Sequence, residues 1–296
     1  MPWLWAVFTV VASGGQAVRN AMQKELTATL GTVGATHVRF LFGLPFALLF
    51  LAIVLAATGL PIPELNAVMI AWTVTATIAQ FAATALLLAV MQERSFVVTT
   101  AYVKTEPVQV AVFGLAFLGD QVTPGLALAI LIATAGVLIV SWPRSTSSEV
   151  FSWKPAALGI GSGALFAIAA IGYRGGIRAL DTPSFVVAAT TTLVVGLVIQ
   201  TVMLTAYLVL ADRKVLMAII RAWKPSLFAG FMGAFASQMW YLAFALETAA
   251  KVRTLALVEI LFAQAISRNL FKQSLASREA AGIGLIVVGV VLLLNL

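Results

Sequence analysis

The chain has 296 residues, of which 61% are hydrophobic and only 10% charged, with a formal net charge of +7. Soluble domains hold roughly 45–50% apolar and about 25% charged residues, so this composition excludes an ordinary soluble domain and points to a membrane protein. Cysteine is absent and His37 is the single histidine, which excludes disulfides, thiolate metal sites and histidine clusters. The basic residues are scattered one or two per loop, a pattern that suits anionic headgroups and topology rather than nucleic acid.

A hydrocarbon core of roughly 30 Å is crossed by about 20 apolar residues in a helix. About ten such segments are expected, near 2–19, 34–58, 67–91, 96–118, 124–142, 155–173, 184–210, 226–246, 250–271 and 278–295. Turn chemistry or charge separates them, as in "ATGLPIPELN", "GDQVTPG" and "RGGIRALDTP". The opening "MPWLWAVFTVVASGGQAVRN" lacks a basic n-region and reads as the first span rather than a signal peptide. Arg19 near its end is expected to snorkel to the headgroups. The second span opens with His37, either a satisfied hydrogen bonder or a proton relay, and with Arg39, deep enough to meet a carboxylate bidentately.

In the third span Thr73, Thr77, Gln80 and Thr84 step along one face. The hydroxyls suit helix–helix adhesion, and Gln80 equally suits a translocation path. The fourth span carries the densest chemistry, "AYVKTEPVQVAVFGLAFLG". On a continuous helix Thr99, Tyr102, Glu106, Gln109 and Phe113 share a face, and Lys104 points away from it. Pro107 cannot donate a backbone hydrogen bond and clashes with the carbonyl of Val103, so a kink is expected there. Irregular backbone at that depth is tolerated only inside protein or beside a water-filled cavity.

Further along, "GIGSG" (159–163) offers a small-residue face for close helix contact, and Gly282 and Gly284 a weaker one. The stretch from Asp212 to Lys224 is amphipathic enough to lie along the interface. In the eighth span "SQMWYLAF" brings Gln238, Trp240 and Tyr241 near mid-span, where Trp240 either packs or stacks on a substrate. The ninth span holds Glu259. An ionised side chain at the bilayer centre costs on the order of 2.5–3.5 kcal/mol even on the milder insertion scale. Glu106 and Glu259 must therefore be paired, protonated or solvated. As structural pairs, Glu106 would meet Lys104 or Arg39, and Glu259 would meet Arg253. As functional groups, they would bind a cationic group or titrate a coupled proton.

Laying the chain on itself with Glu106 over Glu259 places Gly136 over Gly289 and Pro124 over Ser277. The chain is thus expected to fall into two halves, 1–145 and 152–296, of five helices each. An odd number inserts the halves with opposite orientation, and inverted repeats mark secondary transporters with a site near the bilayer midplane. Counting Lys and Arg on alternate loops, with Arg213, Lys214, Arg221 and Lys224 in the richer set, places both termini outside.

Three stretches carry a family likeness: "HVRFLFGLPFALLF", "EPVQVAVFGLAFLGDQVTPGLALAILIATAGVLIV" and "EILFAQAISRNLFKQSLASREAAGIGLIVVGVVLLL". Together they resemble the drug/metabolite transporter superfamily, specifically its EamA-type members with two five-helix halves. Arg39 matches the arginine that such proteins usually have near the start of the second helix. Asp120 stands where glutamate is usual and is expected to act in the loop and helix cap. Ile260 stands where proline is frequent, and Lys272–Gln273 replaces the second glycine–acid pair. The resemblance implies an all-α polytopic carrier of small metabolites, commonly an exporter, working by alternating access without nucleotide. No Gly-x-x-x-x-Gly-Lys loop is present.

The function expected is a secondary active or facilitative transporter of small polar metabolites, with amino acids and related zwitterions first. Glu106 and Glu259 would face an ammonium group, Arg39 or Lys104 a carboxylate, and Trp240 or Tyr102 an apolar portion. Gln80, Gln109 and Gln238 complete the candidate substrate contacts, and Glu106 and Glu259 are the candidates for proton coupling. No cofactor, metal or nucleic acid is expected. The partners are the solute and membrane lipids, the assembly a monomer or homodimer, and the location a bacterial inner membrane. The alternative is a proton-coupled exporter of lipophilic cations, against which Lys104 and Arg39 count. A membrane enzyme lacks a nucleophile or metal motif, and a mere scaffold would leave Glu106 and Lys104 simply paired.

Overall fold

The structure is a computed structural model in which residues 3–93, 102–141, 153–261 and 277–296 are described. Among them all regular structure is helical: α1 (Leu4–Leu41), α2 (Leu44–Thr58), α3 (Ala67–Glu93), α4 (Glu106–Phe113), α5 (Pro124–Val140), α6 (Trp153–Arg178), α7 (Phe185–Ala211), α8 (Arg213–Arg221), α9 (Trp223–Leu246), α10 (Ala249–Leu255) and α11 (Ser277–Leu294). A π-turn (Gly114–Leu118) extends α4, and a 3₁₀ turn (Ala256–Val258) extends α10. Among the described residues, six stretches are long and apolar enough to cross a membrane: Thr29–Thr58, Ala67–Leu87, Trp153–Arg178, Phe185–Ala211, Trp223–Leu246 and Ser277–Leu294. Glu106–Leu118 and Pro124–Val140 are apolar but shorter. Large apolar residues such as Leu49, Ile53, Leu131 and Val288 are exposed, as a surface solvated by lipid requires. The protein is an integral multi-pass membrane protein.

The first two expected spans are joined differently from the expectation. Residues 19–30 continue α1 as helix, because "NAMQKEL" is rich in strong helix formers. The break comes instead at Gly31, whose φ of 66° and ψ of 174° only glycine adopts easily. Arg19 consequently lies inside a long helix and is buried rather than snorkelling.

The chain divides into two compact units. One comprises Met1–Thr77 with Tyr173–Leu246, the other Ile78–Gly172 with Glu247–Leu296. In the first, α1 packs along α9, and α7 packs on α2 and α9. Short α8 is amphipathic as expected. Its Ile219 is fully buried with Leu26, Leu30 and Leu208, while Arg213, Lys214 and Arg221 are exposed.

In the second unit α5 runs against α11 at the closest approach two helices allow. A Cβ on Gly136 would lie 2.6 Å from the carbonyl of Gly282, and one on Gly289 would lie 2.7 Å from Ala133 N. Gly284 meets nothing within 4 Å and has no part in that contact. The "GIGSG" face also serves as expected: Gly159 accommodates Tyr102, and Gly163 accommodates Gln109 and the Val103 carbonyl. The N-cap of α5 is Thr123, whose hydroxyl accepts from Leu126 N at 3.2 Å. Asp120 does not cap it. Following the left-handed Gly119, its buried carboxylate folds back over Gly114. Lys272 and Gln273, and the ends of the expected spans at 96–101 and 262–271, lie outside the described residues, as does Thr99.

Candidate functional site

Proline does more to the fourth span than kink it. The chain turns at Lys104–Thr105, and α4 begins afresh at Glu106 with Pro107 in its first turn, where a missing N–H costs nothing. Thr105 closes the turn, its hydroxyl donating to the Tyr102 carbonyl at 2.8 Å. Tyr102 therefore stands before the break, ahead of α4. Glu106 gains the first-turn position that suits a carboxylate beside a helix N-terminus.

Around this break the charges pair crosswise. Lys104 Nζ lies 3.5 Å from Glu259 Oε2, and Arg253 Nε lies 3.2 Å from Glu106 Oε1. The side chains are 14–25% exposed, neither sealed nor free. The Arg253–Glu106 contact is off the N–H axis, so the attraction is between charges rather than along a directed hydrogen bond. The expected pairs, Glu106 with Lys104 or Arg39 and Glu259 with Arg253, are replaced by this exchange. The reason lies in the two helix breaks. Lys104 lies in the turn ahead of α4, and Glu259 follows the 3₁₀ turn after α10, so neither expected same-segment pair lies on one continuous helix. Partners on a neighbouring helix are nearer. Among the described residues, these two acids and two bases carry no net formal charge between them.

Gln109 lies one turn along α4 from Glu106. Its amide donates weakly to Ile160 O (3.3 Å) and Thr105 Oγ1 (3.4 Å), and its buried Oε1 accepts from no described residue. Gln80 is half-buried on α3. The threonine stripe is largely turned inward: Thr73 donates to Met69 O and Thr84 to Gln80 O, whereas Thr77 reaches Tyr173. Among the candidates, Tyr102, Lys104, Glu106, Gln109, Glu259 and Gln80 belong to the second unit.

Arg39, Gln238 and Trp240 belong to the first unit. Trp240 is buried, donates its indole N–H to Gln16 Oε1 at 3.2 Å and stacks on Phe244. Its ring is occupied by packing. Gln238 donates to Thr190 Oγ1 at 2.8 Å, leaving its Oε1 without a described donor. His37 is fully buried; its Nε2 is hydrogen-bonded to Thr205 Oγ1 at 3.0 Å, while its buried Nδ1 has no hydrogen-bond partner among the described residues. Arg39 is half-buried, its guanidinium 4.8 Å from the centre of the Phe40 ring. A buried tyrosine pair, Tyr173 and Tyr241, has ring centres 5.0 Å apart. Tyr173 was not a candidate from the sequence, since a lone tyrosine in an apolar span carries no signal. Arg253 was noted only as a possible partner for Glu259.

Residues 3–142 match the EamA-like transporter family. A solved crystal structure is similar to this chain with a TM-score of 0.69 at 12% sequence identity, over 98% of this chain and 95% of its own. That likeness establishes the fold. No curated protein sequence matches the chain significantly.

Proposed function

We propose that this chain, a membrane transporter of the drug/metabolite type whose residues 3–142 belong to the EamA-like family, is a secondary carrier of small zwitterionic metabolites, amino acids and their derivatives first. The observation that carries the reading is the pair of crossed contacts, Lys104 with Glu259 and Arg253 with Glu106. A zwitterion can enter such a cluster without changing its charge balance. Its ammonium group takes over Glu106 or Glu259 while its carboxylate takes over Arg253 or Lys104. A simple lipophilic cation would free a base and leave it uncompensated in a medium where that is costly. This favours zwitterion transport over export of lipophilic cations. Glu106 or Glu259, once released by its base, exchanges a proton for substrate in the coupled form of the mechanism.

We assign ten membrane helices in two inverted halves. The helix contacts support this: Gly136 meets Gly282 and Ile286, and Gly289 meets Ala129 and Ala133. The offset of 153 that carries Glu106 to Glu259 carries each of these contacts onto the other. Two copies exchanging such contacts about a two-fold axis are the framework on which alternating access operates. The direction of net transport is outward and the membrane a bacterial inner membrane in this reading.

The test is counterflow of labelled amino acids in proteoliposomes containing the wild type or Glu106→Gln. The variant leaves Arg253 without its acid and is expected to lower the initial rate at least about tenfold, the effect of some 1.4 kcal/mol on a barrier. Flux of organic cations but of no amino acid would refute zwitterion transport. Wild-type flux in the variant at every pH would remove the acid from the mechanism.

A further inference from the structure

We infer that the basic side of α8 binds anionic phospholipid headgroups, and that lipid seated there makes α8 a clamp across the break in α1 at Gly31. Every residue concerned belongs to the first unit, and none is a proposed substrate contact. Gly31 has φ 66° and ψ 174° inside a run of helix, a conformation in which any side chain is strained. A Cβ there would meet nothing within 4 Å, so the glycine serves the backbone's shape and not close packing. The break makes a joint between two helical pieces, 4–30 and 32–41.

Helix α8 grips both pieces. Leu26 and Leu30 precede the break, Ala35 and Val38 follow it, and all four share one buried cluster with Ile219 of α8. Val215 packs against the same cluster and fills the notch at Gly34, where a Cβ would lie 2.9 Å from Val215 Cγ1. An element held on both sides of a joint fixes its angle, and its release frees the joint to move.

Three sides of α8 differ in chemistry. Val215 and Ile219, one turn apart, face α1. Met217 and Ile220 form a half-exposed apolar side. Lys214 and Arg221, two turns apart, form an exposed basic side. Protein, acyl chains and headgroups satisfy these three sides together, and they meet only at the headgroup boundary.

Charge balance makes those headgroups anionic. Between residues 212 and 224 the bases Arg213, Lys214, Arg221 and Lys224 stand against Asp212 alone. The Asp212 carboxylate is engaged at the start of α8, accepting from Lys214 N and Val215 N. Arg213 turns back to donate to Val209 O at 2.8 Å. Lys214 and Arg221 have no ion pair among the described residues. Exposed Trp223, with Lys224 Nζ 5.7 Å from its ring centre, adds an interfacial anchor just beyond α8. Basic side chains so placed are drawn to an anionic lipid surface.

Hydrogen exchange on the whole, detergent-purified protein tests this with no solute present, so its outcome is independent of the counterflow experiment. Phosphatidylglycerol is the probe, with phosphatidylcholine of the same chains and inorganic phosphate as controls. Phosphatidylglycerol is expected to slow exchange in peptides around Gly31 about threefold or more, by suppressing local opening, and the controls to leave it unchanged. The double variant Lys214→Gln with Arg221→Gln, altered only at exposed positions, is expected to require about 30-fold more phosphatidylglycerol for the same protection. Val215→Ala separates binding from clamping. It should bind phosphatidylglycerol as the wild type does, counted by native mass spectrometry, and lose much of the protection. Equal protection by phosphatidylcholine, protection by inorganic phosphate, wild-type lipid dependence in the double variant, or undiminished protection in Val215→Ala overturns the proposal.

Discussion

Lys104, Glu106, Arg253 and Glu259 show how partial burial decides the worth of a charge. At 14–25% exposure they lie between surface pairs, worth about 0–1 kcal/mol, and sealed ones, whose rupture costs about 3–5 kcal/mol. The crossed pairing makes a sharp prediction. Lys104→Glu and Glu259→Lys should each destabilise the protein, and the double exchange should recover about 0.5–3 kcal/mol of the combined loss. Thermal unfolding of the two single variants and the double variant measures this coupling. Additive losses would mean that the two residues are close without interacting. Both acids were legible, because an acid inside an apolar span stands out and the self-alignment set them over each other. Their partners were not, since nothing local says which of four charges on different helices will meet.

At the scale of the helix, glycine positions carried the most information. Gly136 and Gly289 hold α5 and α11 so close that a Cβ on either would fall 2.6–2.7 Å from a backbone atom of the other helix. Backbone cannot give way as the end of a side chain does. Gly136→Val is therefore expected to cost about 1–3 kcal/mol or more through overpacking, read as a lower thermal midpoint. Gly284→Val, a position meeting nothing within 4 Å, is the control expected to change little. Other local outcomes followed from competition that hydropathy does not record. Helix propensity carried α1 across an expected loop as far as Gly31, and Pro107 moved from a kink to the first turn of α4. Thr123 took the cap expected of Asp120, because its hydroxyl precedes the helix at the distance an N-cap needs.

For the molecule as a whole, each compact unit draws residues from both halves of the chain. The placement of α8 bears on orientation. Its exposed Arg213, Lys214 and Arg221 lie opposite the buried Ile219, the disposition of a helix at a membrane surface. Under the positive-inside rule this surface is expected to be cytoplasmic and both termini outside. A phosphatase fused after Leu296, active only outside the cytoplasm, should then be active in cells. Activity of a cytosol-only reporter at the same position would reverse the orientation.

Composition and hydropathy were sufficient to establish a multi-pass helical membrane protein. The stretches around Arg39, Glu106 and Glu259 were sufficient to suggest the transporter type. These properties are local: a run of about 20 apolar residues has few alternatives to a spanning helix, and a charge within it is conspicuous wherever the helix ends up. Only the tertiary structure decided that Lys104 meets Glu259, that Arg253 meets Glu106, that Trp240 is used in packing, and that Tyr173 and Tyr241 come together. Those outcomes depend on which helices become neighbours and through what angle each is turned, quantities set by the sum of many weak packing contacts rather than by any one segment.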